Sequence, residues 1–222
     1  FVNNMSSAIQ RVTFPLLAEI QDMPDQLLYY HRKILKISLF FVIPVLSLLA
    51  ILAEPLIIIL LTSKWVGAAW IMQVLCIQFL FYPMNALSIS LINAHGRSDI
   101  FLKIDVIKRC IMVVFLVLAL PFGIKAVLWS QVIAAIICTF INCFAIKGLF
   151  KYKFEEQIKD IVPIYLTTAI SSFITIVVNI STPSNLLNIV ISALIMLTTF
   201  ILLSTKLHKS EIVFIRKYIF NM

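Results

Sequence analysis

Five charged side chains sit where charge is costly. Lys108, Arg109 and Asp105 fall inside the apolar run Phe101 to Leu120, Glu54 falls inside Ile37 to Leu61, and Arg11 shares a helical stripe with Asn3, Ser7 and Gln10. In hydrocarbon, such groups persist where they pair, line a watery cavity or handle a charged ligand. Lysine and arginine can hold a phosphate, the arginine through its planar fork of donors. Asp105 precedes Lys108 by three residues and Arg109 by four, a spacing that lets it pair with either on a helix. Counted back from Leu120 at 1.5 Å per residue, Arg109 lies about 16 Å from that end, near mid-membrane. A buried carboxylate at Glu54 could take up a proton or a sodium ion. Plainer roles stand beside each of these. Lys108 and Arg109 can snorkel to headgroups, Arg11 can simply be the last positive residue before the cytoplasm, and Glu54-Pro55 can mark a kink.

The elements that must position these residues are long apolar runs: Ile37 to Leu61, Val66 to Ile92, Phe101 to Leu120, Val127 to Ile146, Ile161 to Ile180 and Leu186 to Leu203. Each is close to the roughly 20 residues that cross a bilayer. Threaded back and forth, they leave sixteen of the 18 lysines and arginines on one side and only Lys64 and Lys125 on the other. The lysine-rich side is expected to be cytoplasmic. The net charge of +8 is then a matter of topology, and no nucleic-acid partner is implied. Trp65, Trp70 and Trp129 cluster at the lysine-poor ends, as an interfacial belt would, and all four glycines lie at or just beyond run ends.

At 62% hydrophobic and 13% charged residues, the composition is that of an integral membrane protein. Cys76, Cys110, Cys138 and Cys143 are embedded in apolar sequence without metal-ligand spacing and are expected to pack in the core; no metal or cofactor is expected. His31, His95 and His208 fall on the basic flanks, where solvated side chains are expected. No phosphate-cradling glycine loop, HExxH, paired CxxC or GxSxG occurs, and the outer connections are only a few residues long. Transport therefore fits better than enzymatic chemistry. The chain opens on Phe1 without methionine and begins with what reads as the closing stretch of a helix, which leads to the expectation of a fragment. The expected division is the end of a preceding helix and a cytoplasmic loop (1–36), four spans (37–148), a loop (149–160), two further spans (161–204) and a tail (205–222).

Pro15-Leu16 with Asp22, followed by Tyr30-His31-Arg32, resembles a helix end and entry in the polysaccharide flippases of the multidrug/oligosaccharidyl-lipid/polysaccharide exporter superfamily. The likeness continues through Pro44, Ala53-Glu54-Pro55-Leu56-Ile57, Lys64-Trp65-Val66-Gly67-Ala68-Ala69 and Asn93-Ala94-His95-Gly96-Arg97, and covers about the first 105 residues. The later spans match in number and spacing. The resemblance implies an all-α C-terminal half: six transmembrane helices, the end of a seventh, and the last two helices peripheral to a transport lobe. It also implies movement of an undecaprenyl-pyrophosphate-linked oligosaccharide across a bacterial cytoplasmic membrane for O-antigen, capsule or exopolysaccharide assembly. Membrane lipids and other polysaccharide-assembly proteins would be its partners, and its C-terminus would be cytoplasmic. On that reading Arg11, Lys108, Arg109 and Asp105 are the candidate substrate cluster and Glu54 the candidate cation-coupling group. A drug or ion exporter of the same superfamily, and a membrane glycan polymerase or ligase, are the competing expectations.

Overall fold

The computed structural model describes residues 17–150, 152–180 and 186–207, and every regular element in them is helical. The helices are α1 (Pro24–Ile51), α2 (Ala53–Leu61), α3 (Ala69–Phe79), α4 (Tyr82–Ala94), α5 (Ser98–Ala119), α6 (Gly123–Phe150), α7 (Phe154–Ile180) and α8 (Leu186–Leu207). Tight three-residue-per-turn segments, Ser63–Ala68 and Leu120–Phe122, join α2 to α3 and α5 to α6. Four stretches are long and apolar enough to cross a membrane: Pro24–Ile51, Ser63–Ala94, Ser98–Phe150, which contains both α5 and α6, and Phe154–Val178. A shorter apolar helix covers Ile189–Thr205. Large apolar side chains such as Leu102, Val106, Val113, Val117 and Leu118 on α5 remain exposed, as a lipid-facing surface requires.

Proline sets the breaks. Pro55 cannot donate to Ile51, and the chain interrupts at Leu52 between α1 and α2. Pro83 removes the bond that would reach Phe79. The chain there turns through contacts to the third residue back, Leu80 N–H to the Ile77 carbonyl (3.3 Å) and Phe81 N–H to the Gln78 carbonyl (3.4 Å). Pro44 and Pro163, by contrast, lie inside continuous helices. After Pro121, Gly123 adopts φ 84°, and Gly96 adopts φ 74° between α4 and α5, conformations that a side chain would strain. Thr62 holds φ 79° despite its branched side chain and ends α2.

Among the described residues, helix extends into both segments where loops were expected. α1 starts at Pro24 rather than after residue 36, because Leu27, His31 and Leu35 recur on one buried face. The segment read as a loop over 149–160 reduces to a short turn, because α7 begins at Phe154 with Glu155 and Glu156 in its first turn and Glu156 Oε2 accepts the Lys153 N–H (3.3 Å). Nor do the compact units follow the linear division. Among the described residues one lies within 1–39 and 77–160 and the other within 40–76 and 161–222, so α1, α3 and α7 each contribute to both.

In the first unit α4, α5 and α6 pack together, and Leu17, Leu27, Leu91, Ala94, Ile146, Phe150 and Tyr152 form its apolar cluster. In the second, the buried Thr167, Thr168, Ser171 and Thr175 of α7 repeat at helical spacing, each hydroxyl bonded to a carbonyl one turn earlier. Small hydroxylated residues of this kind let membrane helices approach closely. On α8 of the same unit, Ser192, Met196, Phe200 and Ser204 are buried, with Ser172 in contact with the Met196 sulfur (3.9 Å).

The first unit is also stapled by charge. Asp160 is buried and accepts from Arg32 Nε (2.6 Å), Lys36 Nζ (3.0 Å) and the Tyr152 hydroxyl (2.5 Å), while the Arg32 guanidinium lies 4.9 Å from the Tyr152 ring centroid. Burial, and then the neighbouring Asp160 carboxylate, push the Tyr152 phenol above its ordinary range and keep it a donor. Gln157 Nε2 bonds the Cys143 and Tyr152 carbonyls and closes the α6–α7 turn. Asp160→Ala removes one buried acceptor from three donors, two of them cations. With Arg32 37% exposed, the loss should be about 2 kcal/mol rather than the full cost of an unpaired buried charge. Denaturant titration of the purified full-length protein checks this, and an unchanged midpoint would mean the staple contributes nothing.

Candidate functional site

Lys108 and Arg109 are sequence neighbours, but a helix turns about 100° per residue and the two point different ways. Lys108 is 7% exposed. Arg109 is exposed and donates through Nε to Asp105 Oδ2 at 2.7 Å. The aspartate spaced to serve both cations therefore bonds the arginine. Among the described residues, the hydrogen bond of Lys108 goes to a neutral group: Nζ donates to Asn142 Oδ1 of α6 at 3.2 Å.

That contact is the first link of a chain. Asn142, 1% exposed, donates through Nδ2 to Asn85 Oδ1 of α4 (2.6 Å). Asn85 Nδ2 donates both to Thr139 Oγ1 (2.8 Å) and to the Phe81 carbonyl (3.0 Å), and Thr139 ends the chain on the Ala135 carbonyl (2.8 Å). Thr139 and Asn142 are one turn apart on α6, and Asn85 lies in the first turn of α4, directly after the break made by Pro83. Three helices are thus joined by side-chain polar groups in otherwise apolar sequence. The ammonium has three hydrogens and uses one on Asn142. A buried cation held by an amide dipole alone is under-compensated, and its remaining donors suit an anionic oxygen.

The other expected residues disperse. Glu54 is exposed on the first turn of α2, just after the break at Leu52, where a carboxylate faces the positive end of the helix. Arg11 and its stripe lie outside the described residues, as does His208. Among the histidines, His31 is 1% exposed rather than solvated, because it shares the buried face of α1 with Leu27 and Leu35; its Nδ1 has no partner among the described residues. His95 is half-buried, 4.7 Å from the Phe150 ring, with Nδ1 likewise unpartnered there. Cys76, Cys138 and Cys143 are buried as expected, but Cys110 is exposed on the outer side of α5. No group of three or more metal-ligating side chains forms among the described residues. Asn85, Thr139 and Asn142 escaped the sequence reading. Their signal was present as amides inside apolar runs, but their pairing spans 54 and 57 residues of sequence.

Removal of the acceptor from Lys108 should be costly and removal of the exposed pair cheap. Asn142→Leu is expected to destabilise the full-length protein by about 2–3 kcal/mol, because a buried donor is left unmet. Arg109→Ala is expected to cost under about 1 kcal/mol. Parallel denaturant titrations decide, and equal losses would contradict the burial difference.

Comparison with known proteins adds relatives to this geometry. Residues 1–70 match the family described as polysaccharide biosynthesis protein. An uncharacterized membrane protein of the cps region of Klebsiella pneumoniae is 27% identical over 152 residues, which covers 68% of this chain and 30% of that protein. The lipopolysaccharide biosynthesis protein WzxC of Escherichia coli is 26% identical over 166 residues, 73% of this chain and 34% of its own length. The chain thus spans about a third of the curated relatives it matches. Among solved structures, the lipid II flippase MurJ in its inward closed conformation superposes with a TM-score of 0.78 over 95% of this chain and 45% of its own, at 21% identity, which shows the fold.

Proposed function

We propose, with membership of the polysaccharide flippase family as the premise, that this chain is part of a transporter carrying lipid-linked oligosaccharide repeat units across the membrane in which it is embedded. The observation that carries the reading is Lys108: a cation within a membrane-spanning segment, buried, and balanced by an amide instead of a carboxylate. An undecaprenyl-pyrophosphate group brings the negative oxygens such a site lacks, and a transporter must stabilise that charge as it leaves water. Arg109 with Asp105, one residue along, supplies a second cation at similar depth, and Arg11 is a third candidate. Glu54 is the carboxylate on which a coupling proton or sodium ion would act.

The glycan would be an O-antigen, capsule or exopolysaccharide unit, and the membrane the bacterial cytoplasmic membrane. The skew of positive charge to one side supports a cytoplasmic C-terminus. Two observations favour transport over a polymerase or ligase. The connections on the lysine-poor side are short turns, Ser63–Ala68 and Leu120–Phe122 among the described residues, and the polar groups brought together lie within the helices. Polysaccharide assembly partners and lipids would contact the outer surface.

In a strain that depends on the full-length protein for surface polysaccharide, Lys108→Ala is expected to leave protein level unchanged and to lower surface glycan by roughly tenfold or more, the effect of losing one charge-assisted contact. Quantified surface glycan against membrane-fraction protein reads this out. Normal glycan in the variant would remove Lys108 from the transport pathway.

A further inference from the structure

The polarity of the amide chain is dictated from one end. A lysine ammonium can only donate, so Asn142 must turn Oδ1 toward Lys108, which sends its Nδ2 to Asn85. Asn85 must then present Oδ1 to Asn142, and its own Nδ2 is left for Thr139 and for the Phe81 carbonyl. Each amide has one alternative orientation, reached by a half-turn of its terminal torsion. If Lys108 turned its donors to another acceptor, Asn142 could reverse, and Asn85 would follow. The Asn85 nitrogen would then leave Phe81, whose carbonyl would keep the Asn85 backbone N–H alone (3.2 Å).

Phe81 is the residue at which the chain re-enters helix after the Pro83 break, and the neighbouring contacts of that break are long, 3.3 and 3.4 Å. The far end of the chain of amides is thus fastened at the joint between α3 and α4, where these two backbone contacts are long. We infer that Asn142 and Asn85 form a two-position relay that reports whether Lys108 is engaged by an anion and loosens the Leu80–Phe81 joint when it is. Asn142 and Asn85 are positioning residues, since neither need touch the ligand. The anion in this inference rests on the function proposed above; the link between Lys108 and the joint does not.

Amide hydrogen exchange over residues 77–85, in the full-length protein in neutral-lipid nanodiscs, tests the link without any ligand. Lys108→Met removes the donor that sets the polarity and is expected to speed exchange at the joint about fivefold or more, the lower range of typical site-to-site coupling. Asn142→Asp keeps an acceptor for Lys108 but has no hydrogen to give Asn85. It is expected to speed exchange by a similar factor, which a merely structural need to partner Lys108 would not produce. Thr139→Val, which leaves Lys108, Asn142 and the bond from Asn85 to the Phe81 carbonyl in place, should leave exchange at the joint near the wild-type rate, and Asn142→Asp serves if Lys108→Met fails to insert. Arg109→Met should change nothing. Wild-type exchange in Asn142→Asp overturns the relay, as does a change in Lys108→Met alone. Undecaprenyl pyrophosphate, added to the wild type, should reproduce the Lys108→Met change. If the variants shift and this probe does not, the relay stands and the anion reading of Lys108 falls.

Discussion

A charge that enters hydrocarbon must be answered from within the protein, and the packing of α4, α5 and α6 is organised by how Lys108 is answered. Among the described residues no carboxylate bonds it. Asn142 does, and an amide that accepts on one side must donate on the other, so satisfying the lysine obliges α4 to supply Asn85 and α6 to supply Thr139. The cluster at Asp160 shows the opposite solution in the same unit: one buried carboxylate with two cations and a phenol around it, complete in itself and suited to holding α1 against the start of α7. In the first arrangement the buried ammonium is met by an amide; in the second each cation reaches a carboxylate. That contrast is why the functional reading rests on Lys108 rather than on the more numerous charges near Asp160.

Backbone breaks are the second organising device. Pro55 and Pro83 each end a helix at a point where a bond to the fourth residue back is missing, and the span over 63–94 crosses the membrane as two pieces. Broken helices are tolerated in membranes where other groups take up the freed polar atoms. Beside the Pro83 break the Asn85 side chain, a member of the Lys108 network, adds a second donor to the Phe81 carbonyl. Pro44 and Pro163 show that proline alone does not specify a break, since α1 and α7 run through them.

The gross organisation was legible in the sequence because it depends on one-dimensional quantities. Run length marked the long apolar helical stretches, though not their bounds, lysine and arginine placement gave the sidedness expectation, and Gly96 and Gly123 marked turns that need positive φ. Rotation about the helix axis was not legible. Lys108 and Arg109 read as one dibasic site, yet one is buried against α6 and the other is exposed beside Asp105. The start of α1 was missed because charge at Arg32, Lys33 and Lys36 masked a buried face of Leu27, His31 and Leu35. Arg32 and Lys36 instead share Asp160, 128 residues away from Arg32, a pairing no local pattern announces. The same distance in sequence hid Asn85 and Asn142.

The proposed activity of the protein containing this chain is translocation of a lipid-linked, diphosphate-bearing glycan that leaves the glycan unaltered. It is tested most directly by reconstituting the full-length protein in liposomes with a fluorescent undecaprenyl-pyrophosphate-linked oligosaccharide and following its access to a membrane-impermeant quencher. The account predicts that lipid from the inner leaflet becomes quenchable faster than in protein-free liposomes, with the glycan unchanged in mass. Leaflet exchange at the protein-free rate, or glycans that grow or change lipid carrier, would contradict it.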